Sequence, residues 1–366
     1  MSLLGGLEAE TFYGEIWQRR GAVFRGSAVG FEPVPKDTLW RLASNEAAET
    51  RLVFEHGEAC PWQVTHGPFP SDAQAALPES GWSLLVQEVD SHLPHVAAIL
   101  EHVSFVPRWL LDDVMVSIAP AGGSVGPHID QYDAFLVQVE GQRRWQLEST
   151  PRTTVTLIEG ADLAVLSDFD PACEHVLGPG DVLYVPPGLA HHGVAVDDAQ
   201  TWSIGLRAPN THDLVLSYVD TVLEHIPFDA FYRAADRRTP ANQAEISSQN
   251  VQAFRALIDR ALDSDRFASW LGRHLSRPRS EYESDDGATR SRTAKTVALR
   301  GGVRSAYVYG CDGGLTLFVN GDEIEVPAPA APLARSLANG HRVSIAALDP
   351  ATRGLIDALD QRGMLD

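Results

Sequence analysis

Three residues near the middle of the chain have the types and spacing to hold a metal ion. In Gly126-Pro-His-Ile-Asp130, one residue separates His128 from Asp130, and in an extended segment that alternation turns both side chains to one face. A third donor closes the segment Pro186-Pro-Gly-Leu-Ala-His191, read here as the end of a strand that a barrel would bring back beside the first pair. Two imidazoles and one carboxylate on one side of a metal leave three positions open. That arrangement suits non-haem iron(II) and dioxygen chemistry. A lone His-x-Asp would read as a polar strand edge; the Gly-Gly-Ser-Val-Gly126 stretch before it and the Pro-Pro-Gly before His191 argue for a site instead. His192 competes for the third position. Neighbouring strand residues face opposite ways, and these residues alone do not choose between the two.

A second set surrounds an inward-facing cation. Arg143, Trp145 and Leu147 alternate on one face of a strand, with Arg144, Gln146 and Glu148 on the other. An arginine on the apolar face needs an anion, because an isolated buried charge costs several kcal/mol. A dicarboxylate such as 2-oxoglutarate would supply one, its distal carboxylate taking two parallel hydrogen bonds while its keto-acid end chelates the metal. An internal bridge to Asp133 is the alternative. On the strand before the metal pair, Asp113, Met115 and Ser117 share a face opposite Val114, Val116 and Ile118. Ser117 could donate its hydroxyl to the cosubstrate carboxylate and Asp113 could bind a cationic substrate side chain. The bland alternative is a half-exposed strand with a solvated aspartate.

These residues need a strand-rich scaffold, and the chain supplies one. From Asp112 to Arg207, short apolar or alternating runs recur between Gly, Pro and Asp clusters: Val114–Ile118, Ala134–Val139, Arg143–Leu147, Asp181–Val185 and Trp202–Leu206. The spacing predicts antiparallel strands in a sandwich or barrel, with Glu140-Gly-Gln142 as a hairpin turn between two of them. Residues up to about 105 read as a decorated lead-in that includes the apolar run Trp82–Gln87. Period 3.6 then takes over across 211–276, where Leu214, Val215, Tyr218, Val222 and Leu223 share a face, as do Phe254, Leu257, Ile258, Ala261 and Leu262. A polar, turn-rich linker at 277–287 precedes a small α+β unit. In that unit, strands Ser305–Tyr309 and Leu315–Val319 flank Asp312-Gly-Gly314, Asn320-Gly321 makes a turn, and helices cover Leu333–Leu337 and Gly354–Leu359. The expected domains are 1–208, 209–278 and 288–366.

Composition narrows the partners. The chain has 366 residues, 44% of them hydrophobic and 21% charged, with no continuous apolar run of membrane-spanning length; this is globular composition. Its N-terminus lacks the basic start and apolar core of a secretory signal, so the cytoplasm is expected. A formal charge of −20 opposes nucleic acid and anionic lipid and attracts a basic protein. Residues 285–366 hold nearly equal numbers of acidic and basic side chains, a poor electrostatic footprint for DNA. Cys60, Cys173 and Cys311 show neither a disulfide framework nor zinc spacing and are read as buried thiols.

Gly126-Pro-His-Ile-Asp-Gln-Tyr-Asp133, Arg143-Arg-Trp145 and Pro186-Pro-Gly-Leu-Ala-His191 together resemble the bacterial ribosomal oxygenases, JmjC-type arginine hydroxylases. The likeness extends to Trp62–Phe69, Trp82–Gln87 and Gly205–Asn210. It implies a mainly β plus α chain: a JmjC/cupin double-stranded β-helix (jelly roll), then a helical dimerisation region and a small winged-helix-like α+β domain. It implies iron(II) held by His128, Asp130 and His191, with 2-oxoglutarate and dioxygen as cosubstrates. Arg143 and Ser117 match cosubstrate contacts, and Asp113, Met115 and Tyr132 match positions enclosing a substrate arginine. The substrate it implies is a basic large-subunit ribosomal protein, hydroxylated at an arginine β-carbon by a homodimer. Histidine hydroxylation, methyl-lysine demethylation and a non-catalytic cupin regulator are the competing expectations.

Overall fold

The computed structural model describes residues 2–56, 60–233, 242–263, 266–278, 295–310 and 313–366. Among the described residues before 208 the strands are β1 (Ala22–Phe24), β2 (Thr50–His56), β3 (Pro61–His66), β4 (Trp82–Val86), β5 (Leu111–Ala119), β6 (Ala134–Glu140), β7 (Arg143–Leu147), β8 (Cys173–Leu177), β9 (Val182–Val185), β10 (His191–Ala195) and β11 (Ala199–Leu206). One sheet runs β1-β9-β6-β11-β5-β4-β2-β3 and a second β10-β7-β8. Ala134, Leu136, Leu183 and Val185 of the large sheet meet Trp145, Leu147 and Leu177 of the small one, so the sheets face each other across a jelly-roll interior. The opposite face of the large sheet carries Val114, Val116, Ile118, Phe135, Val137 and Trp202. These pack in one cluster with Phe12, Leu39 and Trp40 of helices Ala9–Glu15 and Lys36–Ala43. Period-two alternation therefore sends Asp113, Met115 and Ser117 into the space between the sheets.

Three expectations change. The lead-in is part of the scaffold, because β4 pairs directly with β5 (Leu84↔Ile118, Val86↔Val116) and carries β2 and β3 beyond it. The Glu140-Gly-Gln142 turn makes no hairpin: β6 pairs with β9 and β11, β7 with β8 and β10, and the chain crosses there from one sheet to the other. Gly141 sits at φ +63, and a Cβ on it would approach the Asp198 carbonyl oxygen to 2.1 Å. The Gln142 amide donates to Asp197 Oδ1 at 2.6 Å, which pins the corner against the loop before β11. Local turn chemistry marks where a chain reverses but not which sheet receives it. Third, Cys173 is exposed at the start of edge strand β8 and Cys60 is half-buried, so these thiols are not core residues; Cys311 and Asp312 lie outside the described residues.

The 211–276 region holds helices Thr211–Leu223, Ser248–Leu262 and Phe267–Leu275. Asn210 and Ser247 cap the first two by accepting from the amides of His212 and Asn250. Of the linker expected at 277–287, residues 279–287 lie outside the described residues. Beyond it β12 (Thr296–Val297), β13 (Ser305–Tyr309), β14 (Leu315–Val319), β15 (Asp322–Val326) and β16 (Val343–Ser344) combine with helices Ala331–Ala338 and Pro350–Gln361. They enclose a core of their own around Leu317, Leu337 and Leu359. Asn320 and Gly321, both at positive φ, turn β14 into β15.

Candidate metal centre

His128 and Asp130 lie in an extended segment outside the ladders, and His191 opens β10 rather than ending a strand. A single antiparallel bridge replaces the expected regular strand: the His128 amide donates to the His191 carbonyl and the His191 amide to the His128 carbonyl, both at 3.0 Å. The Gly188 amide donates to the Asp130 carbonyl at 2.7 Å, tying the Pro-Pro-Gly turn to the carboxylate's own backbone. The imidazole centroids are 4.2 Å apart. His191 Nε2 is 3.7 Å from Asp130 Oδ2 and His128 Nε2 is 3.9 Å from it.

Each imidazole is oriented through its second nitrogen. His128 Nδ1 donates to the Gly126 carbonyl and His191 Nδ1 to the Leu189 carbonyl, both at 2.9 Å, which leaves both Nε2 lone pairs on the Asp130 side. Burial, reinforced by His128 alongside, pushes His191 down to about 4, so its ring is neutral at pH 7. One donor atom from each of the three residues lies within 4.8 Å of the others. Two imidazole nitrogens and a carboxylate oxygen converging from one side fit a divalent first-row metal. His192 turns the other way, its Nε2 3.1 Å from Ser124 Oγ.

The same residues border a cavity of about 290 Å³ that also receives Asp113, Met115, Ser117, Tyr132 and Arg143. Arg143 is 4% exposed, and its Nε and Nη2 have no hydrogen-bond partner among the described residues. Burial lowers its pKa to about 10, so it stays charged at neutral pH and requires an anion. Asp133 is not that anion: it accepts from Tyr184 Oη and from Gln18 Nε2. Trp145 lies beside Arg143, the guanidinium carbon 5.9 Å from its ring centroid. A Cβ on Gly193 would come within 2.6 Å of that indole, so glycine there admits the ring. Ser117 Oγ faces the Thr201 carbonyl at 3.3 Å, a long contact that a hydroxyl rotation exchanges for another acceptor.

Asp113 is buried rather than solvated. Its Oδ2 accepts from the Glu88 amide at 2.9 Å and, with the Gln87 amide turned to match its neighbours, from the Gln87 nitrogen at 2.9 Å while the Gln87 oxygen accepts from Arg51. Gln87, Arg51 and Ser203 line the cavity and were missed in the sequence. A signal for Ser203 was present: Thr201, Ser203 and Gly205 form the small and polar alternation of β11 opposite Trp202, Ile204 and Leu206. No local pattern marked Arg51, whose place depends on β2 lying two strands from β5.

A jelly roll with two histidines and one carboxylate converging beside a buried, unpaired arginine defines the JmjC/cupin class. Consistent with that, the JmjC domain family matches residues 98–214 and the ROXA-like winged helix family matches residues 253–366. The chain is 32% identical to the ribosomal protein uL16 3-hydroxylase of Escherichia coli over 85% of its own length and 84% of the relative's. It is 34% identical to a probable ribosomal oxygenase of Haemophilus influenzae over 70% of this chain and 65% of that one. The E. coli ribosomal oxygenase YcfD, solved in complex with cobalt and 2-oxoglutarate, superposes with a TM-score of 0.83 at 29% identity, covering 99% of this chain and 98% of that one. The chain belongs to the JmjC-type bacterial ribosomal oxygenase family.

Proposed function

We propose that this protein is an iron(II)- and 2-oxoglutarate-dependent dioxygenase that hydroxylates the β-carbon of an arginine in a large-subunit ribosomal protein, the class acted on by its E. coli relative. The observation that carries the reading is the meeting, in one cavity, of the His128, Asp130 and His191 donors with the buried guanidinium of Arg143, whose Nε and Nη2 have no partner among the described residues. Iron(II) with 2-oxoglutarate and dioxygen supplies the oxidation, which yields succinate, carbon dioxide and a hydroxylated carbon. The protein's own part is positioning. His128, Asp130 and His191 hold the metal, and Arg143 with Ser117 grips the distal carboxylate of the cosubstrate. Asp113 receives the substrate guanidinium, while Met115 and Tyr132 flank its methylenes. The test is mass spectrometry of ribosomal proteins incubated with and without the enzyme, read as the gain of one oxygen atom on a single arginine; no gain on any ribosomal protein would refute the substrate class.

The arginine reading rests on Asp113, Met115 and Tyr132 forming one pocket. Contacts at the far end of the side chain then place the β-carbon, so position selects the carbon oxidised. Lysine offers Asp113 a point charge without the planar fork or the stacking surface. Replacing Asp113 with alanine is expected to suppress peptide hydroxylation about 10- to 100-fold, the cost of a charge-assisted hydrogen bond, and to spare peptide-independent 2-oxoglutarate turnover. Measuring both rates on a ribosomal peptide and its Arg→Lys counterpart checks this. Equal hydroxylation of the two peptides removes arginine from the proposal and leaves the oxygenase standing.

The working molecule in this proposal is a cytoplasmic homodimer with domains at 1–208, 209–278 and 288–366. Val215, Leu223, Phe254 and Ile258 stand at least 45% exposed on helices Thr211–Leu223 and Ser248–Leu262, more apolar surface than these helices cover within one chain. No helix among the described residues is long and apolar enough to cross a membrane. Light scattering at micromolar concentration should report twice the chain mass, and Val215→Glu with Ile258→Glu should shift it to the monomer. A monomeric wild type overturns the dimer.

A further inference from the structure

Arg304 of the terminal domain touches Asp112, a residue that lines the pocket. Across β5 and β11 the ladder pairs Val114 with Ile204 and Leu111 with Leu206, so Asp112 and Asp113 together face the single residue Gly205. This is a β-bulge, and a bulge leaves backbone groups of the longer strand without ladder partners. Arg304, just before β13, supplies them. Its Nη1 donates to the Leu111 carbonyl at 2.6 Å, and its Nη2 donates to the Asp112 carbonyl and, at 2.7 Å, to Asp112 Oδ1. The guanidinium side chain is only 11% exposed. Arg207, following β11, donates from Nε to the same Oδ1 at 3.1 Å and from its other nitrogens to the carbonyls of Leu275, the last residue of helix Phe267–Leu275, and of Arg277 beyond it. Oxygenase domain, helical region and terminal domain thus converge on Asp112, the neighbour of Asp113.

The contact on the other side of Asp113 is braced as well. Glu88 donates its amide to Asp113, and Asp90 accepts from the amide of Val114 at 2.9 Å. Gly301 and Gly302 of the terminal domain press against Asp90 and Ser91 so closely that a Cβ on either would fall within 2.4 Å of them. The bulge before Asp113 and the Asp90–Val114 bond just after it are therefore both in contact with residues 301–304.

We propose that Arg304 is a positioning residue for substrate recognition: by clamping the bulge at Leu111 and Asp112 it fixes the Asp113 carboxylate at the height a substrate guanidinium requires. This rests on the reading of Asp113 given above. The terminal domain then acts as a fixed brace behind the peptide site.

The experiment uses the full chain with iron and 2-oxoglutarate, comparing wild type, Arg304→Gln, Asp113→Ala and the double variant, together with peptide binding to the metal-free protein by calorimetry. Arg304→Gln is expected to weaken peptide binding and raise peptide KM about tenfold, with 2-oxoglutarate affinity and peptide-independent turnover unchanged. In the Asp113→Ala background it should add nothing, since both changes remove one interaction. Arg304→Lys should recover only part, having a charge without the fork. An Arg304→Gln effect that is absent, that adds fully to Asp113→Ala, or that lowers 2-oxoglutarate affinity equally overturns the inference. Wild-type peptide binding by Asp113→Ala instead sinks the reading of Asp113 itself. Should Arg304→Gln not fold, Asp112→Asn probes the same contact with an isosteric change and is judged by the same outcomes.

Discussion

Alanine at position 191 is expected to leave a folded protein that neither retains iron(II) nor consumes 2-oxoglutarate, with turnover reduced more than about 100-fold. Losing a residue that merely orients a ligand typically costs 10- to 100-fold, and losing a donor itself removes one of three contacts from the open-sided set. His128→Ala and Asp130→Ala should match it. His192→Ala should stay within about tenfold of wild type, because that ring points at Ser124 and is not among the three converging donors. Equilibrium dialysis for metal and succinate release for turnover measure the two effects. An inactive His192→Ala beside an active His191→Ala would reverse the assignment.

Arg143→Met is expected to separate binding from stability. The guanidinium sits 4% exposed with two nitrogens unpartnered, so in the ligand-free protein it is a charge held out of water at a cost. Two charge-assisted hydrogen bonds to a dicarboxylate would return about 1.5–3 kcal/mol each. Their loss weakens 2-oxoglutarate binding by at least about 100-fold. The unfolding midpoint of the ligand-free protein should rise or hold, since methionine fills the space without a buried charge. Arg143→Lys should bind with intermediate affinity. Unchanged affinity in calorimetry disposes of the carboxylate role. A large fall in the ligand-free midpoint would mean that the arginine serves the fold.

The elements around the site were legible in the chain because each rests on a local rule. The alternation of Asp113, Met115 and Ser117 against Val114, Val116 and Ile118 told both that the segment is a strand and that one face is polar, and the structure puts the apolar face under the N-terminal helices. Arg143 on the face of Trp145 and Leu147 carried the same information, and its burial without a protein partner agrees with it. Three errors share a cause. The turn at Gly141, the supposed ladder at His128 and the peripheral status of β2 to β4 all required knowing which strand lies beside which, and pairing between distant segments leaves little trace in either one.

What the sequence determined by itself was the chemistry available: two histidines and an aspartate at metal spacing, an arginine on an inward face, a carboxylate on the strand before the metal pair, and helices with apolar faces. Alternation and donor type are properties of neighbouring residues, so a window of ten reads them. Tertiary structure decided which groups meet. It chose His191 over His192 by pairing the former with His128, and it denied Asp133 to Arg143 by giving that carboxylate to Tyr184 and Gln18. It also set Arg304 against Asp112 across 192 positions of chain. The reason is physical: hydrogen bonds and burial depend on distance in space, and only the closed pair of sheets with the terminal domain docked on them brings those distances within reach.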